Sequence, residues 1–351
     1  MGNSTSSAIT ISLDRTNPFY CSSEIVSGMV ALSILQGEVK ANEIYITLTG
    51  EIGYTTTRTV SNSRGQSSTR TEYHHVPFYT AKGIFARPEP GQTELILGQG
   101  QYSWPFQISL TEYLPPTLNQ PLAYPHVRYY LQVIVDKPWY KPNTRETQYI
   151  TVYPRVNLLQ MPQCLISTYF GSQNRKNVIL KGTLNKLGYV PGELITFTLD
   201  IENSRRVLIQ HIDLSMLQSF HIVRNTRGFT IFQTTLPKIV NTREEQIRET
   251  YSILIPSIPM PPSYQFQGGI HRSAAVDVSY ILRVAVKVEG MFTDFDVKIP
   301  ITMGTEPTPD LLQQQAFNPL SVTYSASPEQ SMFIDSDEPP PAYHSVVEDV
   351  K

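Results

Sequence analysis

Residues 276–288 read Val-Asp-Val-Ser-Tyr-Ile-Leu-Arg-Val-Ala-Val-Lys-Val, and every second position is apolar. Successive side chains of a β-strand point to opposite faces of the sheet, so this period of two predicts a strand with one buried face. Residues 127–135, Val-Arg-Tyr-Tyr-Leu-Gln-Val-Ile-Val, follow the same pattern. Turn signals rich in Pro and Gly separate such runs, and no long helical periodicity occurs. The chain is therefore predicted to be all-β.

These two runs belong to a longer internal repeat. The matched pairs, in chain order, are Tyr20 with Tyr189 and Glu24 with Glu193 (each 169 residues apart), Glu43–Leu48 with His211–Met216 (168), Leu114–Pro116 with Met260–Pro262 (146) and Val127–Val135 with Val278–Val286 (151). The order is the same in both halves, and the offsets drift only as loops change length. The chain is therefore predicted to hold two copies of one unit, each a β-sandwich of several strands.

The repeat gives a domain plan. We predict two tandem immunoglobulin-like β-sandwich domains, residues 8–155 and 172–302, followed by a disordered tail, residues 305–351. The tail holds eight acidic residues against the single base Lys351; since the whole chain has a formal charge of −2, residues 1–304 carry +5. A mildly basic body suits anionic lipid or a phosphorylated partner, whereas an acidic tail is also what a merely solvated segment looks like.

Residues Tyr54–His75 are the least regular part of the first unit. They are rich in Thr, Ser and Arg, and we predict a long hairpin loop between two strands. Its bases Arg58, Arg64 and Arg70 make a phosphate-contacting loop the alternative, and we favour a solvated loop.

Residue usage also indicates a compartment. Cys21 and Cys164 are too few for a disulfide framework in 351 residues, and no apolar run reaches the roughly 18 residues of a spanning helix. The first residues, Met-Gly-Asn-Ser-Thr-Ser-Ser, lack the charged and apolar segments of a secretory signal. These observations predict a cytoplasmic protein.

The usual signatures of catalysis are missing. The sequence has no phosphate-binding loop, no dinucleotide fingerprint and no Gly-x-Ser-x-Gly elbow. His74 and His75 are adjacent, so on a strand their rings point to opposite faces and do not share a metal ion. We expect no enzymatic activity, no metal, no cofactor and no nucleic-acid partner.

Two short motifs carry a mechanism. Glu338-Pro-Pro-Pro-Ala-Tyr343 contains Pro-Pro-x-Tyr, in which Pro340 and Pro341 hold a polyproline II helix and Tyr343 enters a second pocket, as WW-domain ligands do. A second match, residues 261–264, is predicted to be structural, because the repeat aligns it with Leu114–Pro116, which lacks the tyrosine. The other motif, Met-Gly-x-x-x-Ser at the start of the chain, makes Gly2 a candidate for N-myristoylation.

Several segments together resemble the arrestin family, over roughly residues 8–302. The segments that carry this resemblance are Tyr20–Gly28, Leu114–Pro116, Val127–Trp139, Lys181–Leu184, Tyr189–Glu193 and Ile201–Asn203. The Pro-Pro-x-Tyr tail makes the chain most similar to the alpha-arrestins, although many relatives carry two such motifs in the tail and this one carries one.

The resemblance implies a function as well as the fold. Alpha-arrestins are non-enzymatic adaptors that link receptors and transporters to HECT-type ubiquitin ligases of the Nedd4 class, whose WW domains would bind Pro340, Pro341 and Tyr343. It further implies cargo ubiquitination and endocytosis, contact with cytosolic regions of membrane proteins, peripheral membrane contact, and recruitment from the cytoplasm to plasma membrane and endosomes. The alternative is an arrestin-like sorting-coat subunit of the retromer kind, which acts without a ubiquitin ligase.

Overall fold

A computed structural model describes residues 6–61, 67–290 and 293–306, and this part of the chain is almost entirely β-strand. The first domain contains ten strands. They are β1 (Ser6–Leu13), β2 (Phe19–Cys21), β3 (Ile25–Gln36), β4 (Val39–Ala41), β5 (Glu43–Ser61), β6 (Ser67–Ala86), β7 (Leu95–Leu97), β8 (Gly100–Ser109), β9 (His126–Asp136) and β10 (Thr144–Tyr153).

The strands of the first domain form two facing sheets and a short ribbon. One sheet has the order β1-β3-β8, the other has the order β2-β10-β9-β5-β6, and β4 pairs with β7. Alternate residues of β3 and β9, such as Val30 and Leu131, are fully buried in one core that both sheets line. This is the buried face that the period-two pattern predicts.

Two short 3-10 turns, Leu158–Gln160 and Pro162–Cys164, lead into the second domain. Its strands are β11 (Thr168–Gln173), β12 (Val178–Leu184), β13 (Gly188–Tyr189), β14 (Leu194–Asn203), β15 (Ile209–Ile222), β16 (Asn225–Thr242), β17 (Gln246–Leu254), β18 (Tyr264–Gly268), β19 (Ala274–Val288) and β20 (Phe295–Met303). They form the sheets β11-β12-β14-β17 and β13-β20-β19-β15-β16, with β18 added beside β19.

The internal repeat is confirmed by the topology. In each domain a long central strand, β9 or β19, lies between the last strand and the long hairpin β5–β6 or β15–β16. In each domain the strand that carries the matched tyrosine, Tyr20 or Tyr189, pairs in parallel with that last strand. The predicted all-β fold of two tandem sandwiches is therefore correct, while the predicted disordered tail, residues 305–351, lies almost wholly outside the described residues.

The predicted loop is wrong for residues 54–61 and 67–75, whereas residues 62–66, with Arg64, lie outside the described residues. Residues Tyr54–Ser61 continue β5 and pair residue by residue with Ser67–His74 of β6, beyond the point where β9 stops pairing at Gly53. Threonine favours extended backbone because it is β-branched, and runs of Thr face each other across this ribbon. The composition resembled a loop because neither face of the ribbon is covered by a second sheet.

The two domains meet through an aromatic contact. Phe266 of β18 packs edge-on against Phe78 of β6, with ring centroids 5.3 Å apart, and against Tyr113 at 5.0 Å. Next to it, the Ile270 amide donates to the Pro77 carbonyl at 2.8 Å. One hydrophobic cluster of buried residues therefore spans both domains.

We predict that Phe266→Ala lowers the free energy of unfolding by about 3–5 kcal/mol, the usual cost of removing a buried phenylalanine. Phe266 is 6% exposed, whereas Phe229, also on a strand of the second domain, is 47% exposed. Urea denaturation of both alanine variants is the measurement, with Phe229→Ala as the matched control. Equal losses in the two variants would contradict the assignment of Phe266 to a buried domain contact.

Candidate functional site

The residues to which the sequence assigns a function lie at the two ends of the chain. Gly2, Pro340, Pro341 and Tyr343 all fall outside the described residues. Their roles stay predictions. The described residues instead offer the second Pro-Pro-x-Tyr match, a buried carboxylate with two histidines, an ion-pair chain and an exposed aromatic loop.

The Pro-Pro-x-Tyr match at residues 261–264 is built into the second domain. The Pro261 carbonyl accepts a 2.5 Å hydrogen bond from the Tyr280 hydroxyl, and Pro262 is buried. The Ser263 amide donates to the Met303 carbonyl at 2.9 Å, and the Met303 amide donates to the Ser263 hydroxyl, also at 2.9 Å. A WW groove could take this segment only if the edge of the domain came apart, which agrees with the structural role predicted for it.

The first domain makes the same contact. The Tyr129 hydroxyl donates to the Pro115 carbonyl at 2.6 Å, and Tyr129 and Tyr280 are the matched residues of the repeat. The repeat therefore extends to individual hydrogen bonds, and it explains why the prolines at 261–262 are present without reference to a ligand.

Neither cysteine resembles a nucleophile. Cys164 is buried, and Cys21 is half-buried; both are free thiols. Burial, followed by the neighbouring Glu24 charge, raises the pKa of the Cys21 thiol, which disfavours the reactive thiolate.

A polar cluster that the sequence analysis missed lies on the five-stranded sheet of the first domain. Glu51 of β5, His75 of β6 and His126 of β9 bring a carboxylate and two imidazoles together, with their ligand atoms all within 4.8 Å of one another. His75 Nδ1 lies 2.6 Å from Glu51 Oε1, and Arg128 Nη2 donates to the same oxygen at 2.9 Å. His74 lies on the opposite face, with Nε2 2.7 Å from Thr56 Oγ1, as the alternation of a strand predicts.

Two features of the β5 backbone position the side chains of this cluster. The pairing of β5 with β6 shifts register between Gly50 and Glu51, a bulge that turns the Glu51 carboxylate towards its partners. Gly53 leaves room for the His126 ring, because a Cβ at residue 53 would lie 2.3 Å from that ring.

The cluster holds Glu51 ionised. Burial alone would raise the pKa of this carboxyl group, but the imidazoles of His126 and His75 and the Arg128 charge outweigh it and hold the pKa far below its usual range. The sequence analysis asked only whether His74 and His75 share a metal ion. It did not connect His75 with Glu51, 24 residues earlier, or with His126, 51 residues later. Glu51 shares the polar phase of the β5 alternation with Thr47 and Thr49, so the local pattern gives no signal that its carboxylate is buried.

A second set of charges lies near the start of the tail. Glu24 accepts hydrogen bonds from Arg15 at 2.7 Å and from Arg155 at 2.9 Å, and Arg155 also lies 3.8 Å from Glu306. Burial would raise the pKa of Glu24, but hydrogen bonds from Arg15 and the Cys21 amide, with the two guanidinium charges, lower it. Through Arg155, these ion pairs connect the turn at Glu24 with the segment that joins the domains.

We predict that this lowered pKa makes stability depend on pH. A carboxyl group whose pKa is lower in the folded state stabilises the fold above its unfolded pKa of about 4.3, and that contribution is lost as pH falls through the folded pKa. The melting temperature of the wild type should therefore exceed that of Glu24→Gln at pH 7, and the gap should close towards pH 3. Thermal melts across this range test it, with exposed Glu89→Gln as the control; a gap independent of pH would contradict it.

The loop between β9 and β10 exposes aromatic and basic side chains. Trp139 is 95% exposed and Tyr140 is 56% exposed, and their rings meet edge-on with centroids 5.9 Å apart. The loop is held by the Lys141 amide, which donates to the Pro138 carbonyl at 2.8 Å, and by the Asn143 side chain, which accepts from the Lys137 amide at 2.8 Å. A fixed turn therefore presents a tryptophan flanked by lysines.

Two matched β-sandwiches that share one hydrophobic cluster define a duplicated, two-domain β-protein. Two family models match it in turn: the N-terminal domain of arrestin (or S-antigen) over residues 9–159, and the C-terminal domain of the same family over residues 174–308. The chain belongs to the arrestin family, and the resemblance seen in the sequence is confirmed.

Among curated proteins, the chain is similar to "Arrestin domain-containing protein C" of Dictyostelium discoideum, which is 22% identical over 312 residues. The alignment covers 85% of this chain and 45% of that relative, so the chain spans about half the length of the protein it matches. Within the described residues, no helix has the length and apolar character needed to cross a bilayer.

Proposed function

We propose that the protein is a non-enzymatic adaptor, which binds cytosolic regions of membrane receptors or transporters and recruits a HECT-type ubiquitin ligase for cargo ubiquitination and endocytosis. The observation that carries this proposal is an arrestin fold combined with a Pro-Pro-x-Tyr sequence, residues 340–343, placed beyond the second domain. Family membership supports the adaptor role, and the motif supports the ligase.

The structure of the second domain favours one of the two Pro-Pro-x-Tyr sequences as the segment that binds the ligase. Of the two Pro-Pro-x-Tyr sequences, the one at 261–264 has its first carbonyl, second proline and serine engaged within the domain. A WW domain needs two adjacent prolines as a polyproline II surface with the tyrosine beside them. The match at 340–343 is therefore the better candidate, and one site predicts weaker binding than the paired sites of many relatives.

We predict that tandem WW domains of a Nedd4-type ligase bind the full chain with a micromolar Kd, and that Tyr343→Ala abolishes this binding. The phenol ring fills one of the two pockets, so its loss removes a large share of a small interface. Isothermal titration calorimetry measures both.

The matched control is Pro261→Ala, which should bind like the wild type and melt at a lower temperature. Binding that survives Tyr343→Ala and disappears in Pro261→Ala would reverse the assignment. Failure of the wild type to bind would remove the ligase from the proposal and favour the sorting-coat alternative.

The membrane side of the proposal is supported by the β9–β10 loop. Tryptophan and tyrosine favour the interface between water and lipid, and lysines attract anionic headgroups. Trp139 and Tyr140 extend into solvent between Lys137 and Lys141. The nearby Asp136 carboxylate accepts hydrogen bonds from the side-chain amides of Asn42 and Asn143. Such a loop suits the reversible contact of a cytoplasmic adaptor recruited to plasma membrane and endosomes.

We predict that Trp139→Ala weakens binding to phosphatidylserine-containing vesicles about ten- to a hundredfold, because burial of an aromatic side chain in the interface contributes about 1.5–3 kcal/mol. Vesicle co-sedimentation at low and high salt is the measurement. Tyr169→Ala is the control, since Tyr169 is 84% exposed on a strand of the second domain. If both variants bind like the wild type, this loop is not the membrane contact.

A further inference from the structure

His126 contains the most informative atom of the polar cluster. The ring is 0% exposed, and its Nδ1 lies 2.8 Å from the Ala123 carbonyl. A carbonyl only accepts hydrogen bonds, so Nδ1 carries a proton, and Nε2 is the nitrogen that is left to face Glu51. That Nε2 is buried, has no hydrogen-bond partner, and lies 3.8 Å from Glu51 Oε1. Buried nitrogen atoms are rarely left in this state.

The surroundings of the two histidines match those of metal ligands. Metal-binding histidines place their second nitrogen on a carbonyl, carboxylate or other polar group, which fixes the ring. His126 does so through Ala123, and His75 does so through its Nε2, which lies 2.7 Å from the Tyr124 hydroxyl. The nitrogen atoms that remain, Nδ1 of His75 and Nε2 of His126, both face Glu51.

We propose that Glu51, His75 and His126 bind one divalent transition-metal ion of the Zn²⁺ class, with water as the fourth ligand. Two imidazoles and a carboxylate are a donor set that suits Zn²⁺ and not Mg²⁺ or Ca²⁺, which prefer oxygen ligands. This site is independent of the proposed adaptor function, and the sequence analysis expected no metal.

The geometry needs only small movements. In a tetrahedral site with bonds of 2.0–2.1 Å, the ligand atoms are separated by about 3.3 Å. Here Glu51 Oε1 is 2.6 Å from His75 and 3.8 Å from His126, so the first separation opens by about 0.7 Å and the second closes by about 0.5 Å. The two imidazole nitrogens lie within 4.8 Å of each other and close by up to about 1.5 Å, the largest of the three movements. The proton on His75 Nδ1 moves to Nε2, where the Tyr124 oxygen accepts it. His75 is partly exposed and gives the ion an entry path.

Two further contacts set the strength and the consequence of binding. The Arg128 guanidinium group, 2.9 Å from Glu51, repels a dication and should keep the affinity moderate. The ion would join β5, β6 and β9 beside Tyr124, whose carbonyl accepts a 3.2 Å hydrogen bond from Arg227 of the second domain. Metal binding should therefore stabilise the folded protein at the domain contact.

The test is equilibrium dialysis of the tag-free full chain against Zn²⁺, followed by metal analysis. The wild type should bind one more equivalent than His75→Ala, with micromolar affinity that excess Mg²⁺ does not displace. His74→Ala is the matched control, because His74 is the next residue on β6 and faces the other way. Co²⁺ should give visible d–d bands in the wild type and in His74→Ala, and none in His75→Ala.

The same proteins also give a stability readout. Zn²⁺ should raise the melting temperature of the wild type and of His74→Ala, but not that of His75→Ala or of the second ligand variant, Glu51→Gln. Equal Zn²⁺ binding by the wild type and His75→Ala, or no binding by the wild type, would overturn the proposal. Equal loss in His74→Ala and His75→Ala would overturn it too, since strand disruption would then explain the loss.

Discussion

The fold depends on a hydrogen bond that the chain makes twice. In each domain a fully buried tyrosine on the central strand, Tyr129 or Tyr280, donates its hydroxyl to the carbonyl of a proline in the preceding segment. A hydroxyl buried among apolar side chains needs a partner, and burial raises the pKa of both phenols, which keeps them protonated as donors. The bond holds an irregular, proline-containing segment against the sheet in both sandwiches.

The central strand of the first domain also links two of the polar features of this protein. β9 begins at His126, two residues before Arg128, and ends at the turn that exposes Trp139. One end of the strand therefore faces the second domain through the neighbouring Tyr124 carbonyl, and the other end faces solvent. β9 thus connects the Glu51 cluster at one end with the exposed aromatic loop at the other.

Much of the fold could be read from the sequence. The period of two predicts β9 and β19. The internal repeat, whose segments follow the same order in both halves, predicts the two domains and the structural role of Pro261–Tyr264. The ribbon formed by residues 54–61 and 67–74 could not, because its polar residues lack the apolar face that marks a buried strand, and only cross-strand pairing makes it regular. The Glu51 cluster could not either, because its members are 24 and 51 residues apart and a bulge decides which way one of them points.

The class of the fold, the duplication and the motif at Pro340–Tyr343 can be recognised without the structure, because each is a pattern in the order and spacing of residue types along the chain. The tertiary structure alone decided which polar groups meet. Sheet register sets Gly53 opposite both His75 and His126, which brings the two imidazoles to the Glu51 carboxylate two residues away, and domain contact sets Phe266 against Phe78. Register and packing are sums of many weak, distant contacts, so no short stretch of sequence contains them.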